Sequence, residues 1–557
     1  MASASSPLRA LAADSALRRV SVALGLYRLA EFGPWVAMLV YAYDQGGATA
    51  TGVVSLGLLV PTALAAPFAG PAIDRLGASR VLVGAYGSQA LALGTTAAAL
   101  LLGAPPLAVY ALGALAAMAL VFTHPAHAVI SPAVSRTTEQ LVALNAVTGW
   151  ILSIGLVVAP AVAGVLLAVA SPGAVYAAGG LCALCSFLLV LPLRRLVPPL
   201  ARAEADAATP PWQELARGGR DLARGGPSRE VVLVLTATSV MVGAFDVLAV
   251  VLAVGVLDLG GPGAGYLTAA HGVGAVVGAV ASLSLVGRSR LVPVLLAAAL
   301  AGALAFLLLG LWTTVAVAFG AAVLTGVGRS FLEVAGQTLL QRVTPTDLLA
   351  RAFAFKEGLA MGAWGVGSAL VPLAIAVAGT TGALVLAGAV VPVVVLLRLR
   401  ALLAVDSAVE VPVVQIALLR SIDAFRALPV PALEGVAHGA HDLNYAGGDV
   451  IVRQGDNGDR YYAIADGEVE VLRDGLPRRR LGRGDGFGEI ALLHDGVRTA
   501  TVVALDAVQV VAIDREPFLV AVTGHAETGS RIGAVAAERL DDRTAALPSR
   551  GGQGPSP

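Results

Sequence analysis

From about Val20 to Leu403 the chain is a succession of apolar runs separated by short polar breaks. The runs are about twenty residues long, the length a helix needs to cross a hydrocarbon core of about 30 Å. About twelve can be marked, near 20–43, 52–70, 80–103, 106–130, 141–169, 173–193, 230–257, 264–287, 291–311, 314–340, 352–378 and 382–402. A stretch rich in proline, glycine and charge, RRLVPPLARAEADAATPPWQELARGGRDLARGGPSRE, divides the sixth run from the seventh and predicts two halves joined by a linker. After Arg400 the pattern changes. ALLAVDSAVEVPVVQIALLRSIDAFRALPVPALEGVA mixes charge with helically spaced apolar residues, which predicts a connecting amphipathic helix and a small helical lead-in. DVIVRQG, RYYAIADG, EVEVLRDG, RRRLGRGD and RTATVVAL, bounded by Gly and Asp, then read as strands of a small antiparallel barrel or roll. REPFLVAVTGHAETGSRIGAVAAERLDD returns to helix.

The expected organisation is a six-helix half over 1–193, a linker over 194–228, a second six-helix half over 229–402, a connector over 403–424, the roll with its flanking helices over 425–543, and a disordered tail over 544–557. The fold class is thus an α-helical membrane protein of about twelve transmembrane helices followed by a β-roll with flanking α-helices.

Composition strengthens the membrane reading. The chain is 57% hydrophobic and only 13% charged, with mean hydropathy +0.81, which excludes an ordinary soluble enzyme or scaffold for most of its length. Lys and Arg total 37, as do Asp and Glu, so no global charge calls for nucleic acid. The local charge is uneven. Arg75, Arg80, Arg136, Arg194, Arg195, Arg288, Arg290, Arg342 and Arg398 fall on one side of the runs, while YDQGGATATG, LLGAPP, ASPG, LDLGGPG and AGTTG on the other side carry no arginine or lysine. By the positive-inside rule both termini and the roll are cytoplasmic, in a multi-pass cell-membrane protein. Cys182 and Cys185 lie in an apolar run and read as packing. The polar start MASASSPLRALAADSALRR supports neither a cleaved signal nor myristoylation.

Charges inside the runs mark the expected transport path or coupling site, because an ionisable group at mid-bilayer costs at least about 2.5–3.5 kcal/mol unless paired or wetted. Arg28 and Glu31 lie three apart on one helical face and are expected to pair, and Arg329 and Glu333, four apart, form a second candidate pair. Asp246 sits in the second half at nearly the place of Glu31 in the first. Lys356 is the chain's only lysine and is expected to snorkel at a helix end. Two parallel six-helix repeats around a central path form a transporter architecture.

GPAIDRLGASR, in the loop after the second run, resembles the loop signature of the major facilitator superfamily, a likeness that extends over residues 20–402. Gly70, Asp74, Arg75, Gly77 and Arg80 fall on the matched positions, and the resemblance implies a cytoplasmic gating loop whose charges latch and release as the halves rock. GLVVAPAVAG resembles the exporter signature through Gly155, Pro160 and Gly164, although Ala159 and Ala163 stand where glycine is usual. HPAHAVISP with TEQLVALNAV resembles the drug and siderophore exporters. The fourth-span arginine of proton-coupled members is missing, with His124 and His127 in its region, so proton coupling stays open.

GDGFGEIALLHDGVRTATV places a glycine at a strand-to-helix turn, a glutamate after it and an arginine nine residues further on. The short helix and Arg498 suit an anion, and Glu489 suits a ligand that also offers a hydroxyl. A ribose phosphate meets both demands. The stretch resembles the phosphate-binding cassette of cyclic-nucleotide-binding domains, with Gly488, Glu489, Ile490, Ala491, Arg498, Thr499 and Ala500 at the matched positions. The resemblance implies that Glu489 accepts from the ribose hydroxyl, that Arg498 and the N–H groups of Ile490, Ala491 and Ala500 bind the cyclic phosphate, and that a helix around Ser530 to Leu540 closes over the purine. Thr499 occurs with either purine, and cAMP is preferred over cGMP as the commoner bacterial ligand.

The resulting expectation is a secondary active transporter, a small-molecule exporter, regulated by cytoplasmic cAMP or cGMP at its C-terminal domain. The alternatives are a cyclic-nucleotide-responsive transceptor or signalling platform, and a lipid or lysolipid transporter of the same fold. Membrane lipid, the cyclic nucleotide and a small-molecule substrate are the expected partners, with protons a candidate coupling ion. No metal or cofactor beyond the regulatory ligand is expected. No nucleophile elbow, P-loop or metal-ligand cluster stands in the sequence, so an enzyme is not expected.

Overall fold

The computed structural model describes residues 14–135, 138–196, 226–285, 288, 290–344, 346–408, 413–422, 425–426, 428, 432–433, 436–437, 439–493, 496–523 and 531–536. Arg136, most of the expected linker and the tail lie outside the described residues. The chain divides into two compact units, one of Met1–Leu285 with Arg290–Ala408, the other of Val286–Ser289 with Val409–Pro557.

Among the described residues, the first unit is built of helices. It comprises α1 (Ser15–Ala65), α2 (Ala69–Leu76), α3 (Ala78–Leu101), α4 (Pro106–Leu120), α5 (Thr123–Val134), α6 (Thr138–Val169), α7 (Pro172–Val190), α8 (Pro227–Gly255), α9 (Gly260–Ala281), α10 (Val292–Leu311), α11 (Val315–Val343), α12 (Thr346–Leu397) and α13 (Leu399–Ala408). Helix is the conformation that satisfies every backbone N–H and C=O within the segment, which lipid requires. Nine described segments are long and apolar enough to cross a membrane. Two of these exceed one crossing: α1 breaks at Gly46 and Gly47, and α12 breaks at Gly379, whose φ of 70° is left-handed. Leucines and valines such as Leu102, Val377 and Leu397 stand exposed around the bundle, as a lipid-facing surface requires.

The helix α8 is enclosed on nearly all sides, with 83% of its most apolar window buried. The first and second halves meet where small residues let backbones touch. A Cβ on Gly265 in α9 would lie 2.7 Å from Gly164 Cα and from Pro160 O in α6, and one on Gly52 in α1 would lie 2.8 Å from Ser368 O in α12. Both crossings stand toward the end of the bundle where the chain reverses at Gly47, Gly260 and Gly379. Close approach of this kind is the main source of helix association in lipid, where burial adds little.

The expected gating loop is largely helical. Asp74 and Arg75 lie on α2, which ends where Gly77, at φ 85°, caps it with its N–H on Ile73 O at 2.8 Å. Gly70 lies inside that helix with open space around it, so its role is not the tight reversal. Asp74, Arg75 and Arg80 are exposed, and among the described residues Asp74 makes no ion pair.

The second unit is built on two four-stranded antiparallel sheets of order β1-β8-β3-β6 and β2-β7-β4-β5. The strands are β1 (Ala440–Tyr445), β2 (Val450–Val452), β3 (Arg460–Asp466), β4 (Val469–Arg473), β5 (Leu476–Leu481), β6 (Gly486–Phe487), β7 (Thr501–Ala504) and β8 (Val508–Asp514). Helices α14 (Val413–Ser421), α15 (Glu489–Leu493) and α16 (Arg515–Thr523) flank them. Strand alternation assigns the core. Tyr462, Ile464, Val510 and Ala512 point between the sheets at Val469, Leu481, Phe487 and Val502. Tyr461, Ala463, Val511 and Ile513 point the other way, at Leu418, Leu419, Phe425, Phe518 and Ile532. Tyr461 stacks on Phe518 at 4.9 Å, and Phe425 meets Tyr461 edge-on at 5.4 Å.

We expect Gly265→Val to cost about 1–3 kcal/mol, since the methyls would be driven into backbone that cannot yield. Thermal unfolding in detergent would show a lowered midpoint, whereas Gly70→Ala, with no atom within 4 Å, would leave it unchanged or raised.

Candidate functional site

The charges expected to mark the path form three groups. Arg28 and Glu31 of α1 pair as expected, His124 Nε2 stands 3.7 Å from Glu31 Oε1, and the Tyr27 ring meets the His124 ring edge-on at 5.5 Å. Tyr86 OH and His127 Nε2, 2.6 Å apart, line the same half. Asp246, on the enclosed helix α8, has no cationic hydrogen-bond partner among the described residues. Its Oδ2 accepts from Trp35 Nε1 of α1 at 3.1 Å and from Trp364 Nε1 of α12 at 3.0 Å, and the two indoles meet edge-on at 5.6 Å. One carboxylate oxygen thereby joins the first half to the second.

The third group differs from expectation. Glu333 does not pair with Arg329; its Oε1 accepts from Gln337 Nε2 at 2.6 Å and from Lys356 Nζ at 3.1 Å, and Lys356 also reaches Glu357 at 3.2 Å. The reason is burial. Lys356 is 6% exposed rather than snorkelled, and a buried ammonium takes the carboxylate offered by the neighbouring helix. Arg329 makes no ion pair or hydrogen bond among the described residues. His271 itself stacks on Phe245 at 4.5 Å with its Nδ1 3.1 Å from Thr325 Oγ1.

In the second unit the stretch from Gly488 to Ala500 folds into one cradle. Strand β6 ends at Phe487, and the next residue, Gly488, turns the chain into α15 with a φ of 100°. A Cβ here would lie 2.6 Å from Arg498 Nη1 and 2.8 Å from Arg460 O, so only glycine lets the arginine in. The backbone of Arg498 is pinned by the loop after β2, donating to Asp456 O at 2.7 Å and accepting from Gly455 N–H at 2.9 Å. Its side chain, 4% exposed, donates to Gly488 O at 3.1 Å, Arg460 O at 2.8 Å and Asp459 Oδ1 at 3.1 Å, with the guanidinium 5.6 Å from the Tyr462 ring centre. These three bonds leave two of the guanidinium's five donors for a ligand. Burial raises the Tyr462 phenol above its ordinary value, so the ring beside Arg498 stays neutral.

Glu489 is 2% exposed. Gly488, Glu489, Ile490, Ala491, Arg498, Thr499 and Ala500, all expected from the sequence, line one open recess. A second recess brings Glu489 together with Tyr461, Ile532 and Val535. Residues 531–536 are helical, the described part of the segment expected to close over the base. His494 and Asp495 lie outside the described residues.

The model of the Major Facilitator Superfamily matches residues 20–355, more than half of the chain. The chain belongs to the Major Facilitator Superfamily. A second match, to the cyclic nucleotide-binding domain, covers residues 442–524. A cAMP-dependent protein kinase regulatory subunit of Dictyostelium discoideum is 37% identical over 112 residues, which is 19% of this chain and 32% of that protein. A cGMP-dependent protein kinase, isozyme 2, of Drosophila melanogaster is 37% identical over 108 residues, 18% of this chain and 12% of that protein. The chain thus spans no more than about a third of the length of these curated relatives. The cAMP complex of the regulatory domain of Toxoplasma gondii PKA aligns at 24% identity with a TM-score of 0.22, over 24% of this chain and 52% of that one.

This member of the Major Facilitator Superfamily therefore carries a cyclic-nucleotide-binding domain behind its membrane bundle. Sequence reasoning missed two parts of the cradle. Asp459, which holds Arg498, and the pinning loop 453–457 lie about forty residues upstream, and the second aspartate of DNGDR carries no local signal. The arginines of the β4–β5 hairpin that line the recess were readable only as strand residues.

Gly488→Ala should lower cyclic nucleotide affinity at least tenfold in calorimetry, because it adds left-handed strain of about 1–2 kcal/mol and displaces Arg498. Gly448→Ala is the control: its φ of 94° brings comparable strain with no atom within 4 Å, and affinity should be retained.

Proposed function

We propose that this protein is a secondary active transporter of the cell membrane, exporting a small molecule under the control of a cyclic nucleotide bound by its C-terminal domain. The carrying observation is the Arg498 cradle: a buried guanidinium anchored on three sides, beside a buried glutamate, in a chain whose other unit is a bundle of the superfamily. Fixed donors aimed at one point suit the cyclic phosphate, and Glu489 suits the ribose hydroxyl. The relatives of this domain include both cAMP- and cGMP-dependent proteins by name, so cyclic nucleotide is the level at which the likeness speaks.

The arginine bias of the loops supports a cytoplasmic position for both termini and the nucleotide domain. The transport path runs between the halves past Arg28, Glu31, Asp246, Arg329 and Glu333, supported by their placement within the bundle. The close crossings at Gly265 and Gly52 support a conformer closed at the end bearing Gly47, with alternating access by rocking about Asp246. Protons are the proposed coupling ion, with Asp246 and Glu31 as carriers. The organisation into halves, linker, connector and nucleotide domain follows the boundaries read from the sequence, and catalysis of a chemical reaction has no part in it.

A nucleotide can bias the transporter only through different affinities for its states, and a hundredfold difference supplies about 2.7 kcal/mol, a strong modulation short of a complete switch. Two measurements test the reading. Arg498→Ala in the full-length protein should abolish calorimetric binding of cAMP and cGMP; unchanged affinity overturns the site. In proteoliposomes, the flux of a substrate found by thermal-shift screening should change with cyclic nucleotide in wild type and be insensitive to it in Arg498→Ala. Binding without any nucleotide-dependent flux would favour a signalling platform. Asp246→Asn, which keeps an acceptor for both indoles, should leave nucleotide affinity intact and lower flux at least tenfold.

A further inference from the structure

Helix α8 is buried at every position from Met241 to Ala253 except Asp246, which is half-buried. The carboxylate is thus the one group through which this stretch of the enclosed helix meets accessible space. Trp35 and Trp364, whose indoles donate to its Oδ2, are half-buried as well, and its Oδ1 has no partner among the described residues.

Arg329 stands on the same helix contact. Gly336, seven residues further along α11, would place a Cβ 2.6 Å from Leu235 of α8. Seven residues make close to two turns, so Arg329 shares the face of α11 that meets α8; eleven residues, close to three turns, put Asp246 on the Leu235 face of α8. His271 of α9 fixes the level. Its ring stacks on Phe245 and its Nδ1 lies 3.1 Å from Thr325 Oγ1, so Asp246 stands level with Thr325 and about one turn from Arg329.

Opposite charges this near would ordinarily pair. Glu333, four residues from Arg329, is taken by Lys356, and among the described residues Asp246 and Arg329 bond neither to each other nor to any other charge. A simple cation at Asp246 would face the guanidinium, and a simple anion at Arg329 would face the carboxylate. A molecule carrying both charges meets both groups and brings no net charge into the membrane. The two indoles beside Asp246 suit its cationic end, since an ammonium is attracted to the face of an aromatic ring.

We propose that Asp246 and Arg329 are the two poles of the substrate site and that the transported molecule is a zwitterion of the amino acid class. Its ammonium lies against Asp246 and the rings of Trp35 and Trp364, and its carboxylate against Arg329. The proposal rests on the transporter reading of the bundle and names the substrate class for it.

The test is calorimetry on the full-length protein in detergent with the common amino acids, each beside its carboxamide, which keeps only the ammonium, and its N-acetyl derivative, which keeps only the carboxylate. At least one amino acid should bind, and both of its derivatives should bind at least tenfold more weakly. Arg329→Gln should bring the preference for that amino acid over its carboxamide to within about threefold, and Asp246→Asn should do the same for its preference over the N-acetyl derivative. A loss of fold in the variants would not produce these separate changes, and the wild-type series decides the matter without them. A carboxamide that binds as tightly as its parent makes the substrate an organic cation, and an N-acetyl derivative that does so makes it an anion; either overturns the zwitterion. Flux of some other solute in proteoliposomes with no amino acid bound overturns it too while keeping the transporter. Amino acid binding with the expected pattern but no flux of any solute keeps the site and removes the transporter reading, so the two failures are distinguishable.

Discussion

A charge withdrawn from water must find a counter-charge, a set of dipoles or a wet wall, and both units of this protein are arranged around that requirement. In the helical unit Arg28 takes Glu31, Lys356 takes Glu333 and Glu357, and Glu230 takes Arg398 through two bonds of 2.6 Å. Asp246 takes none of these and is held by two neutral indoles from different halves. In the β-roll, Arg498 is held by two carbonyls and a carboxylate that is itself 69% exposed. Asp246 and Arg498, both assigned to function, are held without a buried counter-charge. A fully satisfied ion pair has nothing left to offer a ligand, whereas dipoles and a well-hydrated carboxylate hold a charge in place without cancelling it.

The helical membrane unit was legible in the sequence because hydrophobic length is a one-dimensional signal, and the nucleotide-binding domain because a telling glycine, glutamate and arginine lie within one short stretch. What escaped depended on partners distant in the chain. The Arg329–Glu333 pair looked favourable on a single helix, yet Lys356, twenty-three residues beyond Glu333, lies buried beside it. Strand β8 escaped because both of its faces are buried, Val510 and Ala512 toward one core and Val511 and Ile513 toward the other, so its apolar residues show no alternation. Strand β1 escaped for the opposite reason, since AHDLNY is largely exposed and held by pairing with β8. The conformation of the expected gating loop was misread: α2 continues through Asp74 and Arg75 until Gly77 stops it.

In the proposed regulation the covalent path between the pocket and the bundle is short. Helix α13 belongs to the bundle, where Leu402 and Val405 are buried in its main core, while Leu418 and Leu419 of α14 are buried in the core of the nucleotide unit. Residues 409–412 are all that separates these two helices in the chain. The start of α13 is fixed by Arg398, which grips Glu230 at the first turn of the enclosed helix α8. That same helix carries Asp246 about four turns further on. A force reaching α13 is therefore resisted not by a loop but by an ion pair whose carboxylate is nearly buried, and the helix behind that ion pair holds the contact between the halves. Such an arrangement transmits small displacements poorly when it is satisfied and abruptly when it breaks, because packed helices and buried pairs have discrete alternatives rather than a continuum. Regulation through this joint would act on the balance between two states of the bundle rather than on its geometry within either state.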